Sequence, residues 1–326
     1  TAFTQKNSTP KTLLWRISGN GLTQPSFLYG SFHLTDKQLF NFGDSVYAAI
    51  ENSKGFAIEV NPDSMMAATM YTGNKNHRLI SGILSNAEMQ KNEKRIEDLI
   101  GKKASLVTIK DIIDYRDAWR QNELFNGDDK MNSFMDGFLY GKARDMGKWV
   151  GGIEDVGDQL EVFEESLTAE EIKSIINNES NNDFFLETMK KIYLRQDLDE
   201  MYKIINSNYS GDRKDVILIN RNFKMANRMD SMARIRNNFF LVGAAHLPGE
   251  SGLIDLMQKR GFKVEPVFSS KKIHAQEYPF KKTVVTWPLI ADEDSFYTVR
   301  MPGLPQAVPT DNVTLKLYGD IGTSHY

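Results

Sequence analysis

Two short stretches constrain this chain more than anything else in it: Tyr29-Gly30-Ser31-Phe32-His33 and Val242-Gly243-Ala244-Ala245-His246. Each is preceded by apolar residues, Phe27 and Leu28 in the first case and Phe239 to Leu241 in the second, and short apolar runs ended by glycine read as buried strands. Beyond the second, Pro248 and Gly249 break the chain, Leu253, Leu256 and Met257 share one helical face, and Gly261 ends that helix as a C′ glycine would. Each histidine therefore sits where a strand ends, the edge at which α/β sheets place ligands. A single histidine of this kind is more often structural, and Gly-x-x-His alone recurs by chance. Two in the same local setting are harder to dismiss.

The rest of the chain supports an α/β domain. Thr12–Ser18 and the strand ending at Gly30 form a hairpin through Gly19-Asn20-Gly21, and a short helix spans Gly43 to Asn52 with Val46, Ala49 and Ile50 on one side. Phe56 to Val60 is a buried strand carrying Glu59, and Lys148 to Glu154 resembles it: apolar, glycine-containing, closing on a glutamate. Residues 64–147 are helical almost throughout, with Ser85 as an N-cap ahead of Gln90 and Glu93, and apolar residues at 131, 134, 135, 138 and 139. The methionines concentrated there read as core filling. Further helices are expected at Leu167–Asn177, Phe184–Ile205 and Lys214–Ile235, and a last strand at Lys263–Val267.

The expected architecture is thus a central mixed β-sheet flanked by many helices, α/β (α+β) in class, with a large helical insertion over about 64–147. Residues 1–11 are a polar lead-in, the main domain runs from 12 to about 270, and 280–326 form a small β-rich C-terminal extension. In that extension Thr283–Trp287, Phe296–Met301 and Asn312–Tyr318 are the candidate strands.

Composition excludes several function classes. The net charge of -3 and pI of about 6.0 give no general attraction to nucleic acid or anionic membrane. No run approaches the roughly 18 apolar residues of a membrane helix. The absence of cysteine excludes disulfides, thiolate metal sites and a cysteine nucleophile. The chain begins on Thr1, which leads us to expect a removed leading segment and an exported bacterial protein, whether periplasmic, extracellular or lipid-anchored.

Of five histidines, His77 lies in a polar loop and His274 and His325 lie towards the C-terminus, which leaves His33 and His246. Neutral imidazole suits zinc, manganese, iron or cobalt, and such sites are commonly completed by a carboxylate and an open, water-bearing position. Glu59 and Glu154 are available for that and for moving the proton of a bound water. Each could equally be an exposed residue just past a strand, or the partner of an internal arginine. Arg221-Asn222 stands on a helix whose apolar residues are Phe223, Met225, Ala226 and Met229. An arginine there either lies on the solvated face or supplies a fixed positive charge to a developing oxyanion.

The order of these pieces resembles the TraB/PrgY/GumN family, which includes the TIKI metalloproteases that clip Wnt proteins. The matching segments are YGSFHL (29–34), AIEV (57–60), GIEDVGDQL (152–160), INRN (219–222) and LVGAAHLPGESGLIDLMQKRGFKV (241–264). The resemblance spans most of residues 12–268 and implies a metal-dependent hydrolase with a fold related to the erythromycin esterases and haem-binding ChaN-like proteins. It makes His33, Glu59 and His246 the first candidates for the metal. Glu154 and Arg221 become polar partners of the site, with Gln159 and Asn222 in support beside Gly30 and Gly243. Manganese, cobalt and zinc all suit these ligands.

The leading expectation is a peptidase acting on a peptide or protein substrate. Arg221 would hold the oxyanion, and Glu59 or Glu154 would pass the proton to the leaving amine. The alternatives are a non-catalytic peptide- or haem-binding protein and an esterase of the erythromycin-esterase kind. Oligomeric state is not legible in the sequence.

Overall fold

The computed structural model describes residues 9–62, 77–125, 127–155, 167–177, 183–208, 211–283, 288–291, 296–301, 305–309 and 314–317. In chain order the elements that matter here are β1 (Leu14–Ser18), β2 (Ser26–Ser31), β3 (Asn41–Gly43), α1 (Asp44–Asn52) and β4 (Gly55–Val60). The helices α2 (Asn86–Ile100), α3 (Ile109–Phe125) and α4 (Met135–Asp145) lead to β5 (Trp149–Glu154). They are followed by α5 (Ala169–Asn177), α6 (Asp183–Leu194), α7 (Leu198–Asn208), α8 (Asn220–Ile235), β6 (Asn238–Gly243), α9 (Leu253–Lys259), β7 (Lys263–Val267) and β8 (Lys272–His274).

Six strands form one mixed sheet in the order β5-β4-β6-β2-β1-β7. β5, β4, β6 and β2 run parallel, while β1 pairs antiparallel with both β2 and β7. Parallel neighbours cannot be joined by tight turns, so each crossover carries helices that cover the sheet. The central strands are consequently buried on both faces: Phe56, Ala57 and Phe239 to Val242 are fully enclosed. Phe239 stacks on Phe56 with ring centroids 5.4 Å apart and leans on Tyr29 at 6.0 Å. An uninterrupted apolar run is what two-sided burial demands, and it is why these strands were readable. Among the described residues, no helix is long and apolar enough to cross a membrane.

The helical insertion divides. α4 packs Met135, Leu139 and Tyr140 into the main core. Residues 80–112 build a second cluster from Ile80, Leu84, Ile96, Val107, Ile109 and Ile112, and α5 contributes Ile172 and Ile176 to it. A helix that follows β5 in sequence thus packs with helices that precede β5. Ser85 does cap α2, but its reciprocal partner in the capping box is Glu88 rather than Gln90 or Glu93. The helix expected over Phe184–Ile205 is two, because Gln196 adopts a φ of 56° and Asp197 caps the new start by accepting from the Glu200 N–H at 3.0 Å. The helix expected from Lys214 begins with a π-helical turn at Asp215–Ile219 before α8 proper.

Packing onto the main body continues past residue 270. β8 pairs with β3, Tyr278 stacks on Tyr47 at 3.8 Å, and the Thr283 N–H donates to the Asp145 carbonyl. Beyond it lie two small β pairs, β9 (Leu289–Ala291) with β10 (Thr298–Arg300) and β11 (Gln306–Pro309) with β12 (Thr314–Leu317). Most of the strand expected at Thr283–Trp287 falls outside the described residues.

Because Phe239 is enclosed between Phe56 and Tyr29, Phe239→Ala is expected to cost about 3–5 kcal/mol of unfolding free energy. Urea denaturation of the two proteins measures this directly.

Candidate active site

Parallel pairing decides where the candidate residues meet. Ser31 of β2 is level with Gly243 of β6, Ile58 of β4 with Leu241 of β6, and Val60 of β4 with Glu154 of β5. The carboxyl ends of four adjacent strands therefore share one edge of the sheet. Glu59, Glu154 and Gly243 stand on it directly, and His33 and His246 follow two and three residues beyond their strands.

The two motif glycines have different jobs. A Cβ on Gly30 would stand 3.0 Å from both Cα and Cβ of Ala244 and 3.2 Å from Leu247, so this glycine lets β2 close against the turn that carries the second histidine. A Cβ on Gly243 would stand 3.1 Å from Glu59 Oε1, 3.5 Å from His33 Nε2 and 3.6 Å from His246 Cδ2. The three side chains therefore converge on one small cradle that only the missing Cβ leaves open.

His246 is buried, and its Nδ1 lies 2.6 Å from Asn222 Oδ1. The Asn222 amide donates to the Ser251 carbonyl at 2.7 Å, so its oxygen is the atom that faces the ring. Nδ1 thus carries the hydrogen, and Nε2 keeps a free lone pair, 3.7 Å from Glu59 Oε1. Burial pushes this imidazole down to about 4, so it is neutral at ordinary pH.

Glu59 and Glu154 are both buried and both face Arg221. The guanidinium donates through Nε to both oxygens of Glu154 at 3.0 and 3.2 Å, and through Nη2 to Glu154 Oε2 at 2.5 Å and Glu59 Oε2 at 2.9 Å. Its Nη1 reaches the Ile217 carbonyl in the π-helical turn at 3.3 Å. The remaining oxygen of Glu59 accepts the Gly243 N–H at 2.5 Å. Burial alone would raise the Glu59 pKa, but His246, His33, Arg221 and that N–H outweigh it and hold the group down at about 2. Arg221 is therefore interior, on the buried side of α8 with Asn222, Met225 and Met229, whereas Phe223 of the same turn is substantially exposed.

His33 is the open side of the cluster, its side chain 56% exposed. Its Nδ1 lies 2.9 Å from Oδ2 of Asp136, a buried residue in the first turn of α4 whose other oxygen accepts the Ser31 hydroxyl at 2.6 Å. The Asp136 charge pushes the imidazole up to about 9. Asp136 was not singled out in the sequence, though a signal existed. It shares a helical face with Leu139, Tyr140 and Ala143, all buried, and a carboxylate on an apolar face needs a partner.

Two carboxylates, Glu59 and Glu154, thus face one guanidinium, while a third, Asp136, faces His33 and favours the charged form of its ring. The donor types are those a divalent cation takes: an ionised carboxylate and two imidazoles, His33 with Nε2 toward the Gly243 cradle and His246 with Nε2 3.7 Å from Glu59 Oε1. Among the described residues, no group of three or more His, Asp or Glu side chains is arranged so that it could hold a metal ion as it stands. Gln159 lies outside the described residues.

The model of the TraB/PrgY/gumN family matches residues 13–266, and the chain belongs to that family. A search of the curated proteins and one of the solved structures each returned no match.

Arg221→Met would leave Glu59 and Glu154 buried without their cation. The expected loss is about 3–5 kcal/mol of unfolding free energy at neutral pH. In the native protein Glu59 sits below its ordinary 4.5, so its stabilisation is present above that value and fades as pH falls toward 2. In the variant, ionising the buried pair opposes folding, so the deficit should shrink on acidification. Guanidinium titrations of both proteins at pH 7 and pH 5 check the size and the sign.

Proposed function

We propose that the chain is a metal-dependent hydrolase whose preferred substrates are peptides or proteins. The observation that carries this reading is the convergence of His33 Nε2, Glu59 Oε1 and His246 on the cradle above Gly243. Those three residues would hold the ion, for which manganese, cobalt and zinc are all suitable. A bound divalent ion supplies a water acidic enough to act as a nucleophile near neutral pH.

The chain's own groups divide the remaining work. Asn222 keeps the His246 lone pair on Nε2, free to ligate. Glu59 is the glutamate whose Oε1 faces the cradle, so it takes the ligand or proton-accepting role, with Arg221 holding its other oxygen. Glu154 gives both oxygens to Arg221, so its part is to fix that arginine. Arg221 in turn keeps a positive charge beside the reacting centre, where charge builds on a carbonyl oxygen under attack. The exposed ring of His33 marks the side from which substrate enters.

One observation favours a second reading, capture of a peptide or haem without turnover. Both glutamates are already engaged by Arg221, and a binder needs no carboxylate free to move a proton. A third class, small esters, differs from peptides only in leaving group and belongs in the same substrate panel.

The purified protein is expected to take up about one divalent ion, by elemental analysis and calorimetry, with hydrolysis of a peptide library lost on chelation and restored by the ion. His246→Ala should abolish both. A variant cleaving at the parental rate would refute the assignment.

Glu59→Gln separates the first two readings. A hydrolase is expected to lose roughly 100-fold or more in kcat in this variant, whereas a binder shows no turnover in the parent either. A Soret band on mixing with haem identifies haem capture.

A further inference from the structure

We propose that Asp136 is a positioning residue that aims His33 at the cradle; this rests on the metal-site reading above. Asp136 lies in the first turn of α4, where any acid interacts favourably with the helix dipole. An acid serving only that purpose would remain in solvent, which avoids the cost of desolvation. Asp136 is instead buried, and both its oxygens are directed at the end of β2: Oδ1 at the Ser31 hydroxyl, 2.6 Å away, and Oδ2 at His33 Nδ1, 2.9 Å away. The same hydroxyl lies 3.2 Å from the Val242 carbonyl of β6, so the carboxylate is referenced to both strands that carry the histidines.

The consequence concerns which ring nitrogen looks inward. With Nδ1 against the carboxylate, Nε2 is the nitrogen 3.5 Å from the Cβ position of Gly243. His246 shows the same arrangement with another partner, its Nδ1 bound to Asn222 and its Nε2 facing Glu59. Two rings are thus each approached at Nδ1 from a different helix, which leaves Nε2 as the nitrogen toward the Gly243 cradle in His33 and toward Glu59 in His246. An outer partner of this kind fixes the tautomer, orients the ring and strengthens the ligand. His33 depends on it more than His246 does. His246 is enclosed by packing, while the His33 side chain is 56% exposed and without Asp136 would sample other rotamers.

The test is calorimetric titration of manganese, cobalt and zinc into the full chain, carried out on the parent, Asp136→Asn, Asp136→Ala and Asp44→Asn. Asp44 is the control: another first-turn acid, on α1, outside the site. Affinity is expected to fall about 10-fold in Asp136→Asn and up to about 100-fold in Asp136→Ala, with Asp44→Asn unchanged. Nitrogen-15 spectra of the His33 ring, recorded well above its raised pKa of about 9 where the ring is neutral, should show one tautomer in the parent and a mixture in the two Asp136 variants. If the parent binds an ion and both variants bind it equally well, the positioning role is overturned and the metal reading stands. If the parent binds none of the three ions, the metal reading falls and this inference with it. Should the Asp136 variants not fold, Ser31→Ala removes the hydroxyl that anchors the carboxylate. It is expected to weaken binding severalfold, and unchanged affinity overturns the proposal.

Discussion

The ion pairs of Arg221 with Glu59 and Glu154 hold the site together. One guanidinium on α8 joins the ends of two neighbouring strands, β4 and β5, and it lies within the protein. Buried carboxylates this close repel one another and lose hydration, so their positions on the sheet edge are tenable only with the arginine between them. The π-helical turn before α8 is part of the same arrangement, since its Ile217 carbonyl takes one of the guanidinium hydrogens. Local departures from α-helical winding are frequent at functional sites, and here the departure adjoins the two residues, Arg221 and Asn222, that reach the glutamates and His246.

Around that pair the cluster is asymmetric in charge and access. His246 is enclosed, neutral and held by an uncharged amide; His33 is open and held by a carboxylate. The asymmetry follows from position along the chain. His246 lies in the short turn between β6 and α9, covered by packed structure, whereas His33 is the exposed residue of the connection after β2, in which Thr35 and Asp36 are buried. A site built this way has a rigid floor, made by β4, β6 and their bonds to Glu59, and one approachable wall.

The sheet's strands were legible because two-sided burial leaves an unmistakable record in composition, as in Phe239 to Val242. The helical stretches were legible by period, but their ends were less so. Gln196 breaks a helix without glycine or proline, and the Asp197–Glu200 capping pair that restarts it is a short, easily overlooked signal. Nor does periodicity name partners. The apolar face of α5 was visible, yet only the folded chain pairs it with Ile80, Ile96 and Ile112, because any apolar stripe of the right width can cover another.

By itself the sequence determined the family, the strand-end placement of Gly30, His33, Glu59, Glu154, Gly243 and His246, and a layered α/β architecture, since each depends on local spacing and burial pattern. Tertiary structure alone decided the partnerships. It turned Glu154 onto Arg221, set Asn222 against His246, brought Asp136 to His33, and drew the three candidate donors over Gly243. A polar side chain's partner is chosen by which elements meet across the sheet edge. Contacts between residues separated by about a hundred positions, such as Ser31 and Asp136, leave no local trace in the chain.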